Sequence, residues 1–195
     1  MKEHPPAAPG PALPDCLRHV VSAPPFALLR DRIERIERAG VTVALGGSGL
    51  LAALQLTDHV RDWDLTTDAP LEQVTAALAG EPYRASGGDH LHADHKLALS
   101  DGQVEVIVGF AFHTPAGVVR IATIVSARPD GLPLGSPEGW AVAYALLGRP
   151  AKSKALLAYL ATHGVEPGAQ ARLLDEPLPS ELAGKLAALP TSRVM

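Results

Sequence analysis

The chain has 195 residues, 47% of them hydrophobic and 19% charged, and its 17 basic against 21 acidic side chains leave a formal charge of −4. That balance excludes a disordered polyelectrolyte and fits one globular domain, or one domain with a small appendage. With no block of Lys and Arg, it also excludes an extensive nucleic-acid surface, because non-specific binding needs clustered cations on the phosphates, although a local basic groove is compatible with it.

Glycine and proline contribute 18 residues each, without a collagen-like period, so many short elements are expected. Aromatics are only 4%, which leaves the core to Leu, Val and Ala. The single cysteine, Cys16, cannot form an internal disulfide and reads as incidental in a reducing compartment. The N-terminal text lacks an apolar signal core, and no run of about 20 apolar residues occurs, so the expectation is a cytoplasmic protein without membrane spans.

Residues 1–14 carry Pro5, Pro6, Pro9, Pro11 and Pro14 and are expected to form a flexible tail. An α/β core is expected over 15–132 and a helical segment over 133–195. After Pro25, the spacing of Leu29, Ile33 and Ile36 predicts a helix ending at Gly40. Val41 to Leu45 reads as a buried strand running into Gly46-Gly47-Ser48, where a short helix, GLLAALQL, begins. The stretch DWDLTT reads as an alternating strand, and LEQVTAALAG as a helix closed by Gly80. Two alternating runs around Asp101-Gly102 predict a hairpin on a type I′ turn, since both turn positions need positive φ. Its register sets Ser100 opposite Gln103 and Ala98 opposite Glu105. VVRIATIV reads as one further strand, after which SPEGWAVAYALLG, KSKALLAYLATHG and two shorter stretches between Pro167 and Leu189 read as helices.

On a strand alternate side chains share a face, so Asp62 and Asp64 point one way while Trp63 and Leu65 point the other. Two carboxylates on one face repel unless cations neutralise them, and hard oxygen ligands suit Mg²⁺ or Mn²⁺. Glu105 interrupts an apolar V-x-V-I-V run, and its hairpin partner Ala98 is small enough to leave it room. Gly46-Gly47-Ser48 supplies a complementary half: glycines allow close backbone approach, and amides opening a helix attract phosphate. Together the parts make a site for a metal-bound triphosphate, in which two metals would clamp the attacking and leaving oxygens at phosphorus.

The ordered trio LGGSGLLAAL, RDWDLTTD and QVEVIVGF resembles the DNA polymerase beta-like nucleotidyltransferases, especially the small bacterial ones. The text GSPEGWAVAYALLGRPAKSKALLAYL is similar to the helical stretch that follows many of these cores, and the resemblance spans about 41–160. It implies a mixed nucleotidyltransferase-like α/β (α+β) sheet flanked by helices, with a C-terminal helical segment. It also implies transfer of a nucleoside monophosphate from an NTP such as ATP to an acceptor hydroxyl on a tRNA or small molecule, with two Mg²⁺ ions. By the same resemblance Asp62 and Asp64 would bind both metals. Glu105 would bind one and help deprotonate the acceptor, while Gly46, Gly47 and Ser48 would hold phosphates. Glu105 stands where Asp is commoner, and Tyr144 where a Lys often follows Ser-Pro-Glu. Triphosphate contacts would then fall to Arg149, Lys152 or Lys154.

Plainer readings stand beside these. Asp62 can pair with Arg61, Glu105 can lie on the hairpin surface, Ser48 can be an N-cap, and the basic residues can form a solvated helix face. Trp63 reads as core, and Glu138 suits the first turn of a helix. The same fold could also serve as a catalytically weak nucleotide-binding or regulatory module. Finally, His90-Leu91-His92-Ala93-Asp94-His95 spells H-x-H-x-D-H, the zinc signature of the metallo-beta-lactamase superfamily, which makes a zinc hydrolase a further alternative.

Overall fold

The computed structural model describes residues 13–191. The expected tail therefore lies outside the described residues except at Leu13 and Pro14. Helix α1 (Phe26–Arg38) forms where the sequence places its apolar stripe, with Leu29, Ile33 and Ile36 buried. Its partly exposed side carries Arg32 and Arg35, whose guanidinium groups both grip the Glu81 carboxylate, Arg35 at 3.1 Å. That grip ties α1 to the chain just after α3 (Leu71–Ala77).

The main sheet has seven strands: β1 (Ala44–Leu45), β2 (Trp63–Thr67), β3 (Tyr83–Ser86), β4 (His95–Leu99), β5 (Val104–Val108), β8 (Val125–Ala127) and β9 (Leu134–Gly135). Their spatial order is β3-β4-β5-β2-β1-β9-β8. Pairing is mixed: β2 runs parallel to β5 and antiparallel to β1, and β1 runs parallel to β9. A separate hairpin pairs β6 (Ala111–Thr114) with β7 (Gly117–Arg120). Helices cover the sheet, so the architecture is a mixed α/β fold with a helical C-terminal part, as expected from the sequence.

The β4–β5 hairpin carries the predicted turn, with Asp101 at φ 56° and Gly102 at φ 84°, and Ala98 faces Glu105. Elsewhere pairing departs from expectation. Of the Val41 to Leu45 run only Ala44 and Leu45 join the ladder, although Val41 and Val43 are buried too. The Thr67 hydroxyl donates to the Thr42 carbonyl, so this backbone is satisfied by a side chain instead of a strand. The single strand expected over 118–125 divides into β7 and β8. Between them the Ile121 amide donates to the Phe110 carbonyl and the Thr123 amide to Asp68 Oδ2, which draws the chain out of the ladder.

The C-terminal helices are α4 (Pro137–Leu146), α5 (Pro150–His163), α6 (Pro167–Leu174) and α7 (Ser180–Ala187). They begin directly after β9, a strand that pairs with both β1 and β8 and so lies inside the sheet. Helix α4 is buried from Pro137 through Tyr144, which explains why its sequence is apolar all round. Ser136 caps it by accepting from the Gly139 amide at 3.1 Å. Glu138 is 3% exposed yet fully used: Oε2 accepts from the Ser136 hydroxyl at 2.6 Å and Oε1 from the Glu166 amide at 2.9 Å, tying α4 to the start of α6. Glu138→Ala orphans both donors and should destabilise the fold by about 2–3 kcal/mol. A lowered urea midpoint at unchanged slope would register it. Among the described residues no helix is long and apolar enough to cross a membrane.

Candidate functional site

Strand β2 runs through the middle of the sheet, and the two aspartates lie at its entrance. Trp63 and Leu65 point into the core, Trp63 donating from Nε1 to the Pro24 carbonyl and packing edge-on against Phe26, so Asp62 and Asp64 are left on the other face. The parallel β2–β5 register puts Glu105 directly opposite Asp64. The three acids are thus neighbours, and their mutual repulsion is visible at Asp64. Burial first, then the charges of Asp62 and Glu105, push its carboxyl up to about 7 against the opposing pull of Lys96 and Arg61.

The Gly46-Gly47-Ser48 turn is built around these acids. Helix α2 (Gly47–Ala53) starts here, and every one of its residues is buried. A Cβ on Gly47 would stand 1.7 Å from Asp64 Oδ2, and one on Gly46 would stand 2.0 Å from Cζ2 of Trp140. The Gly46 amide donates to the Asp64 carbonyl at 2.7 Å, and the Ser48 hydroxyl reaches the Asp62 carbonyl at 3.4 Å. The glycines therefore let the acid strand and α4 close on the turn. Gly46 has its amide committed to the sheet, whereas the first-turn amides of α2 have no acceptor within the helix.

A cleft of about 520 Å³ opens beside this turn. One wall carries Asp62 and Asp64, and Ser48, Tyr144, Arg149 and Lys152 complete it together with Ser22, Val60, His59 and Arg61. Arg149 is the cap of α5 and Lys152 lies in its first turn. The α4–α5 connection is fixed by the Arg149 amide donating to the Tyr144 carbonyl at 2.9 Å. Lys152 Nζ lies 5.1 Å from the Tyr144 ring centroid, a cation–π distance. Burial lowers the Lys152 pKa, with Arg149 adding to the effect, while burial and the Asp64 charge raise that of the Tyr144 phenol, which stays protonated. Arg61 lies along Asp62, with Nε at 3.0 Å and Nη2 at 2.8 Å from Oδ2.

The structure brings six of the nine residues singled out in the sequence to this place, while Lys154 lines a different cavity with Pro179 and Lys185. Ser48, Asp62, Asp64, Arg149 and Lys152 line the cleft, and Gly47 abuts Asp64. Gly46 supports the turn from the Trp140 side, and Glu105 adjoins Asp64 without lining the cleft. Ser22 and His59 had no sequence signal; a parallel bridge between them carries both to the cleft. Among the described residues no three His, Cys, Asp or Glu side chains form a group able to hold a metal ion on their own. Two hard carboxylates lining an open cleft, one of them pushed up to about 7 by burial and its acidic neighbours, do fit Mg²⁺, which takes one or two protein carboxylates and completes its shell with water and ligand phosphates.

The histidine motif is not gathered into such a site. His92 Nδ1 lies 3.0 Å from both Asp89 oxygens, and His90 and His95 are exposed. Asp89 also accepts the Leu91 and His92 amides, which hold its carboxyl well below the usual range. Asp94 is buried with neither oxygen partnered.

No protein-family model matches the chain, and no curated protein matches it. A solved structure does. It is a Thermotoga maritima protein named a "putative nucleotidyltransferase", 21% identical, with a TM-score of 0.47 over 69% of this chain and 91% of that one.

Proposed function

We propose that the chain is a metal-dependent nucleotidyltransferase that binds an NTP in the cleft and moves its nucleoside monophosphate to an acceptor hydroxyl. The observation that carries this reading is the mixed polarity of the cleft lining: carboxylates of Asp62 and Asp64 at the entrance of β2, cations of Arg149 and Lys152 at the start of α5, and Ser48 in the first turn of α2. A polyphosphate repelled by the acids alone is accommodated when they hold a divalent cation. Asp62 and Asp64 are the proposed ligands of Mg²⁺ or Mn²⁺, with Glu105 as the third acid beside them. A bound cation would neutralise charge developing on the transferred phosphoryl group. Ser48, Gly47, Arg149 and Lys152 orient the phosphates. The acceptor oxygen bonds to the α-phosphorus, pyrophosphate leaves, and a carboxylate of the acid group takes the hydroxyl's proton.

The ion pair between Arg61 and Asp62 favours a second reading, a nucleotide-binding or regulatory module in which that aspartate is occupied. One experiment separates the readings. Thermal unfolding is followed with Mg²⁺ and each NTP in turn, alongside transfer of label from the α-phosphate to small-molecule and tRNA acceptors. At a ligand concentration 100-fold above Kd, stabilisation of about 2.7 kcal/mol, roughly 5–10 °C for a chain of this size, is expected. A shift without transfer selects the binding module. No shift with any NTP overturns both.

A further inference from the structure

Among the described residues, four buried side-chain atoms lack a hydrogen-bond partner: both Asp94 oxygens, Thr123 Oγ1 and Tyr144 Oη. Of these residues Tyr144 alone lines the cleft that contains Asp62 and Asp64. Its side chain is 1% exposed, and its ring is packed against Trp140 at 5.5 Å between centroids, with Lys152 over it. Phenylalanine would fill that volume equally well and leave no polar atom unpaired, so packing accounts for the ring and not for the hydroxyl.

We propose that the Tyr144 hydroxyl is a ligand-binding group, donating a hydrogen bond to a non-bridging oxygen in the polyphosphate chain of the bound nucleotide. This rests on the proposed function and adds to it a neutral donor that works beside Arg149 and Lys152. Three features make the hydroxyl suited to an anionic oxygen. It belongs to the same rigid α4–α5 corner as the two cations, held by the Arg149 amide on the Tyr144 carbonyl. It is excluded from water, where a hydrogen bond to a charged acceptor is strongest. And no group of the protein competes for it.

The test compares wild type with Tyr144→Phe by calorimetric titration with Mg²⁺-NTP, with inorganic tripolyphosphate and Mg²⁺, and with the nucleoside alone, together with thermal unfolding of the unliganded proteins. The variant is expected to bind NTP and tripolyphosphate about tenfold more weakly, a loss of about 1.4 kcal/mol. Its unliganded midpoint is expected to equal or exceed that of wild type. Equal affinities of the two proteins for both polyphosphates would overturn the inference and leave the proposed function standing. A loss confined to the nucleoside would overturn it by moving the contact to base or sugar. A lower unliganded midpoint in the variant would overturn it by giving the hydroxyl a partner within the fold. Failure of wild type to bind any of the polyphosphates overturns the proposed function itself.

Discussion

Asp64→Asn should make the folded chain more stable at pH 8 while abolishing nucleotide transfer. Asp64 titrates near 7 when folded and near 3.8 in the unfolded chain, because burial and the charges of Asp62 and Glu105 oppose its ionisation. Between those values the folded state binds the extra proton. Stability is therefore fully present below about pH 4, declines as pH rises through the interval, and has lost this contribution above about 7. The difference in pKa corresponds to roughly 2–4 kcal/mol once partial solvent access is allowed for. Asparagine keeps the shape and removes the titration, so the decline should be absent in the variant. Urea midpoints of both proteins at half-unit steps from pH 4 to 8 report the difference, since groups remote from Asp64 titrate alike in both. Parallel curves would mean that Asp64 is well solvated and its acid neighbours ineffective. Saturating Mg²⁺ should flatten the wild-type curve as well, because a cation replaces the proton. Loss of transfer in the same variant would then follow from the lost ligand, not from damage to the fold.

Much of this site was readable in the sequence because its parts are local. The Asp62/Asp64 alternation needs only a strand, and the opposition of Glu105 and Ala98 needs only the Asp101-Gly102 turn, which fixes the hairpin register. Helix α1 was readable from a 3.6-residue stripe, and the C-terminal helices from lengths of apolar text bounded by Pro and Gly. What could not be read is non-local. Strand β9 is two residues long, and only its pairing with both β1 and β8 makes it part of the sheet. Strand β3 is exposed along its whole length, so no alternation of apolar residues marks it. The approach of Arg149 and Lys152 to the aspartates depends on α4 packing its Trp140 against Gly46. In the sequence these basic residues were indistinguishable from a solvated helix face. Tyr144 could be noted there as a departure from a pattern, but its unpartnered hydroxyl emerges only once Lys152 and Trp140 enclose the ring.

Gly47→Ala should be among the most damaging single-methyl additions in the chain, and its effect should depend on Asp64. Two penalties combine. The backbone has φ 54°, a left-handed conformation that costs alanine about 1–2 kcal/mol, and the new methyl would lie 1.7 Å from Asp64 Oδ2. Overpacking of this kind costs about 1–3 kcal/mol, and a loss of about 3–4 kcal/mol is expected in all. Gly46→Ala provides the control. Its φ of −122° is ordinary for any residue, and its methyl would strike the Trp140 ring at 2.0 Å, so it carries the steric penalty without the conformational one. Truncating the acid discriminates the two. In an Asp64→Ala background the carboxylate clash goes and only the tight 2.9 Å approach to the Cβ of residue 64 remains, so the Gly47→Ala penalty should fall towards the conformational part, giving a coupling of about 1–2 kcal/mol in the double-mutant cycle. Gly46→Ala should cost the same in either background. The measurement is four urea transitions for each cycle. Zero coupling between Gly47 and Asp64 would mean that the carboxylate does not rest against the turn, and the geometry that joins the acid pair to the head of α2 would be wrong.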